Sequence, residues 1–182
     1  MIGSLFGRGD LITSSARVEG APSVPSPPMS DAAGPPSDLP AGTPPISPFG
    51  QLLGETFVSV GPDEVVVRLP IVPHLHQPYG IVHGGVWCAM VETAASVGAA
   101  TWLRTRGDGS VVGVSNHTDF LRAVRDGEVT ARATPIHRGR LQQLWLVEVH
   151  DDTDRLCARG QVRLQNLESA DRLGRGSSAP SA

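Results

Sequence analysis

The chain has 182 residues, 40% of them hydrophobic, a formal net charge of −3, fifteen arginines and no lysine. That is room for one domain with a modest core. The arginines are scattered, without the dense basic run that a nucleic-acid surface needs. Two cysteines, Cys88 and Cys157, sit in apolar contexts that suit buried free thiols, and the N-terminus lacks the apolar run of a secretory signal, so a reducing, cytoplasmic compartment is expected.

Residues 1–48 contain ten prolines and six glycines, with Phe6 as their single aromatic. Such a segment cannot bury enough surface to offset its ordering entropy, so a disordered tail is expected, with Met29 inside it as an alternative start. From Pro48 the pattern changes, and residues 49–167 read as the folded domain. Phe49 to Leu53 predicts a short helix ended by Gly54, and Glu55–Val60 and Glu64–Val72 predict a hairpin around Gly61-Pro62-Asp63. Pro73 and Pro78 bracket an irregular segment. A long helix follows from His83-Gly84 to Leu103, stopped by Gly107-Asp108-Gly109. The stretch Ile81–Leu103 has the length of a membrane span, but His83, Glu92 and three glycines argue against one.

Four strand-like runs complete the domain: Val111–Val124, Glu128–Arg138, Leu141–Asp151 and Arg155–Gln165. Asp126-Gly127 signals a hairpin between the first two, and Asp151 to Asp154 a second turn. Residues 168–182 revert to a disordered tail. With no alternating βαβ units, the class is α+β, an antiparallel sheet wrapped around one central helix. Ala89, Ala94, Ala95, Gly98, Ala99 and Ala100 allow close approach on both sides of that helix, which is expected to be buried all round.

Glu92 stands alone in this apolar helix, and no arginine lies between Arg68 and Arg104 to pair with it. An ionised carboxylate out of water costs several kcal/mol unless it is paired or hydrogen-bonded, so its presence points to chemistry. Ser96, four residues on, shares its face and can bond it. His83 and Gly84 open the helix, where free N–H groups and the positive dipole end favour a carbonyl oxygen gaining negative charge. Nine residues put His83 and Glu92 half a turn out of phase and about 13 Å apart along the axis. Acting on one substrate therefore requires a second chain, its helix antiparallel to the first in a two-fold dimer.

The run Q-P-Y-G-I-V-H-G-G followed by Glu92, together with D-F-L-R-A-V-R-D-G (Asp119–Gly127), P-I-H-R-G-R (Pro135–Arg140) and the segment from Trp145, resembles the hotdog-fold, PaaI-like acyl-CoA thioesterases over about residues 49–166. The nearest patterns are 1,4-dihydroxy-2-naphthoyl-CoA hydrolases and glutamate-dependent 4-hydroxybenzoyl-CoA thioesterases. The resemblance implies that Glu92 is nucleophile or general base, that the Gly84 N–H polarises the thioester carbonyl, that Gln77 and His83 shape the site, and that Ser96 orients the attacking water. It also implies CoA contacts at Gly113, at Phe120, Leu121, Arg122 and Ala123, and at His137, Arg138, Gly139 and Arg140. The family can carry an Asn-His pair where this chain has Asp119 and Phe120.

The expected activity is hydrolysis of an aromatic or medium-chain acyl-CoA by a homodimer or homotetramer with sites at the subunit interface, without metal or cofactor. His74 and His76 lack partners at zinc spacing and read as loop histidines. Trp87, Trp102 and Trp145 read as core or interface aromatics. The alternatives are a proofreading hydrolase of misacylated aryl carrier proteins and a non-catalytic acyl-CoA-binding module.

Overall fold

The computed structural model describes residues 43–107 and 109–167. The expected tails over 1–48 and 168–182 fall outside these residues, apart from 43–48. Helix α1 (Pro48–Leu53) starts one residue earlier than expected: Ser47 caps it by accepting from the Gly50 N–H at 3.1 Å, Pro48 sits in its first turn, and Gly54 ends it at φ 89°.

Strands β1 (Thr56–Val60) and β2 (Val65–Pro70) form the expected hairpin. Pro70 closes β2 two residues early. A 3-10 turn (Pro73–Leu75) leads to helix α2 (Gly84–Arg104), and β3 (Ser110–Phe120), β4 (Glu128–Arg138), β5 (Gln142–Asp151) and β6 (Leu156–Leu167) follow. All pairings are antiparallel, in the order β1-β2-β4-β5-β6-β3.

That order corrects one expectation. Asp126-Gly127 does not join neighbouring strands, because β3 pairs with β6 at the sheet edge while β4 lies between β2 and β5. The Asp-Gly pair encodes a local reversal, with Gly127 at φ 83°, but it does not choose the partner strand. β3 also stops at Phe120 rather than Val124: the Leu121 and Arg122 N–H groups both turn onto the Cys157 carbonyl, and the chain leaves the edge to cross over to β4.

The sheet curls around α2. Strand β5 alternates as a half-buried strand should, with Gln143, Trp145, Val147 and Val149 facing the helix. Facing them are Val86, Trp87, Met90, Val91, Ala94, Ala95, Gly98 and Ala99. Small residues set the spacing: a Cβ at Gly98 would lie 2.6 Å from the Trp145 ring, so only glycine lets the indole approach the helix this closely. By length and composition alone α2 would pass for a membrane span, yet this face is core. The helix is not buried all round within one chain, since the sheet covers one side and leaves Cys88, Ala89, Glu92, Thr93, Ser96, Val97 and Ala100 half-buried.

Candidate active site

The site begins in the segment before α2. The Gly80 N–H bonds the Gln77 carbonyl in a turn with Gly80 at φ 66°, and the Gln77 N–H bonds the Ile81 carbonyl. Arg125 clamps the turn from outside, Nη1 donating to the carbonyls of Tyr79 (3.2 Å) and Gly80 (3.0 Å). The N–H groups of Val82 and His83 bond Val124 and Leu75. Gln77, half-buried, is thereby held on a braced loop.

His83 caps α2. Its Nδ1 accepts from the Gly85 N–H at 2.9 Å, and its carbonyl takes the Val86 N–H. The Gly84 N–H takes part in neither bond, so it remains at the positive end of a 21-residue helix. Phe120, at the end of β3, lies over this position: a Cβ on residue 84 would sit 2.5 Å from its Cε2. The structure thus brings Gly84 and Phe120 together in one chain. Phe120 remains 54% exposed, and the wall it forms is open on its outer side.

Glu92 lies eight residues further on, about 12 Å along the axis. Its Oε1 accepts from Ser96 Oγ at 3.0 Å, as the four-residue spacing implies. Its Oε2 accepts from Asn116 Nδ2 at 3.0 Å, and the second hydrogen of that amide goes to the Cys88 carbonyl at 3.1 Å. Thr118 Oγ1 in turn donates to Asn116 Oδ1 at 2.7 Å. None of the ion pairs among the described residues includes Glu92. Two neutral donors serve the carboxylate, as its half-buried position requires.

Gly113, expected at the CoA arm, lies against Glu92 instead, where any Cβ would collide with Oε1. Asn116 and Thr118 were not legible as site residues. The period-2 pleat of β3, which puts residues 116, 118 and 120 on one face, was the available signal.

The remaining expected contacts divide between the two ends of α2. Leu121, Arg122 and Ala123 are exposed just beyond Phe120. His137, Arg138, Gly139 and Arg140 form the β4–β5 turn at the other end, beside Trp102 and the Ala99 carbonyl, which accepts from Gln143. Arg138 donates to the Pro62 carbonyl (2.9 Å) and to Asp63 (2.7 Å), with its guanidinium 5.4 Å from the Trp102 ring. His137 and Arg140 are exposed. Within one chain the helix length keeps this turn away from Gly84.

A second carboxylate escaped the sequence reading. Glu55 is only 3% exposed beneath α1, and neither of its oxygens has a hydrogen-bond partner of normal geometry. Burial pushes its carboxyl up to about 7, opposed by the nearby Thr93 hydroxyl. A shallow concavity lined by Thr130, Arg132, His150 and Asp151 shares no residue with the Glu92 site.

Residues 79–158 match the thioesterase superfamily. The Mycobacterium tuberculosis protein Rv1847, which carries a provisional esterase name, is 54% identical over 136 residues, 74% of this chain and 97% of its own. Its solved structure superposes with a TM-score of 0.66 at 56% identity, covering 68% of this chain and 98% of that one. The 1,4-dihydroxy-2-naphthoyl-CoA hydrolase of Escherichia coli is 32% identical, across 58% of this chain and 76% of its own length. The proofreading thioesterase EntH of Cronobacter sakazakii is 34% identical, across 60% and 79%. The chain belongs to the thioesterase superfamily and is a thioester hydrolase of the hotdog fold.

Proposed function

We propose that the chain hydrolyses acyl-CoA thioesters bearing an aromatic or medium-chain acyl group, in the cytoplasm, as a homodimer or homotetramer with composite sites between subunits. The observation that carries this reading is the Glu92 carboxylate, held by Ser96 and Asn116 on the uncovered face of α2, about 12 Å from the Gly84 N–H of its own chain. One thioester cannot reach both groups in a single chain. A two-fold partner with its helix antiparallel would set Glu92 opposite the other chain's Gly84, and would bring each β4–β5 turn near the partner's Phe120 end. Among the described residues no strand pairs with the outer edge of β3, which supports such pairing.

Glu92 acts as general base or nucleophile. As base, it takes a proton from water while the water oxygen bonds to the thioester carbon; the C–S bond then breaks, and the sulfur takes that proton back from Glu92 to leave as CoA thiol beside the free acid. The Gly84 N–H stabilises the intermediate oxyanion, aided by the helix N-terminus. Gln77 and His83 shape the pocket around the carbonyl. Phe120 and Leu121 line its apolar side, with Gly113 giving the carboxylate its space. Arg122, His137 and Arg140 meet the CoA phosphates. This chemistry needs no metal or cofactor.

The second reading is a proofreading hydrolase acting on acylated carrier proteins. Its support is Arg138, whose bonds to Asp63 and Pro62 leave the β4–β5 turn fewer free cations for nucleotide phosphates. Thiol release from a panel of acyl-CoAs and acyl carrier proteins tests both. Turnover of CoA esters that falls about 10²–10⁴-fold in Glu92→Gln supports the first reading. Turnover of carrier-protein esters alone supports the second. Parental rates in Glu92→Gln would remove Glu92 from the mechanism.

A further inference from the structure

The carboxylate assigned to chemistry is held by an element other than its own helix. Ser96 rides on the same helix as Glu92, so its hydroxyl can follow the carboxylate through several rotamers. Asn116 cannot, because it projects from β3 and spends both amide hydrogens, one on Glu92 Oε2 and one on the Cys88 carbonyl one turn earlier in α2. Its orientation is fixed by chemistry: Nδ2 faces two acceptors while Oδ1 receives the Thr118 hydroxyl. The flipped amide would set oxygen against a carbonyl and a carboxylate. Thr118 is itself confined, since a Cβ on Gly160 of β6 would lie 2.7 Å from its Oγ1. Gly113 closes the remaining side, its lack of a side chain making the space that Oε1 occupies.

We infer that Asn116, backed by Thr118, is the positioning residue for Glu92, tying the carboxylate to the α2 backbone and to β3 so that it meets the substrate in one orientation. This rests on the proposed role of Glu92 in thioester hydrolysis. A misplacement of about 1 Å in a reacting group can cost about 10²-fold in rate, so the amide acts on turnover rather than on substrate affinity.

The test uses the full chain and the best thioester from the substrate panel, with thermal melts to confirm folding. Asn116→Ala is expected to lower kcat about 10–100-fold while KM stays within about threefold. Asn116→Asp sets a second carboxyl beside Glu92; the two share a proton, so the acid limb of the kcat/KM–pH profile is expected to move to higher pH by about one unit or more. If Glu92→Gln is inactive, yet Asn116→Ala keeps parental kcat and the Asn116→Asp profile superposes on the parent's, the positioning role is overturned and the proposed function stands. A parent that releases thiol from no thioester overturns both.

Discussion

Two carboxylates flank neighbouring positions of α2 and are treated in opposite ways. Glu92 is half-buried and receives one donor on each oxygen. Glu55, packed beside Thr93 one position along the helix, is 3% exposed with neither oxygen bonded, and burial holds its carboxyl up at about 7. The difference is one of solvation. Glu92 has a directed donor on each oxygen, whereas burial of Glu55, only partly opposed by the Thr93 hydroxyl, disfavours its charged form and keeps its proton near neutral pH.

The Glu55 side of the comparison breaks most visibly in stability. The folded protein holds the Glu55 proton to about pH 7, while the unfolded chain releases it near the ordinary value of 4.5. This group's contribution is therefore fully present below pH 4.5 and is lost as pH rises through 7, a decline of about 3 kcal/mol. Denaturant melts across that range should show the decline, and Glu55→Gln should flatten it. A parental profile that is flat between pH 4.5 and 8 would contradict the burial argument.

The Glu92 side is sharpened by Gly113→Ala. The added methyl occupies the position of Oε1 and displaces the carboxylate from Ser96 and Asn116. On the exposed edge strand the fold should survive, with kcat about 30-fold lower and a melting temperature within a few degrees of the parent. Unchanged kcat would show that the carboxylate does not need that place.

Much of the fold was legible because periodicity and caps report local structure directly. Strand β4 runs over Glu128–Arg138 as the alternation indicates, and His83 marks the start of α2 because a side chain that accepts from the Gly85 N–H caps it. What depends on partner choice was not legible. Asp126-Gly127 reads as a hairpin in any window, yet whether β3 pairs with β4 or β6 is decided by the whole sheet. Within the site, Ser96 follows from helix spacing to Glu92, whereas Asn116 lies 24 residues away and reaches Glu92 only once β3 lies beside α2. Glu55 reads as an ordinary polar residue at a strand start, and only the packing of α1 above it shows the enclosure.

The composite site is tested most directly by mixing two defective chains. Glu92→Gln lacks the acid and Gly84→Ala obstructs the helix start, so each homo-oligomer alone should be inactive. Co-refolded at equal ratio, half of the dimers are mixed, and each mixed dimer carries one intact site made of one chain's Glu92 and the other's Gly84. Recovery of up to about a quarter of parental thiol release is the expected result. No recovery, with mixed dimers verified by mass, would contradict a site shared between chains.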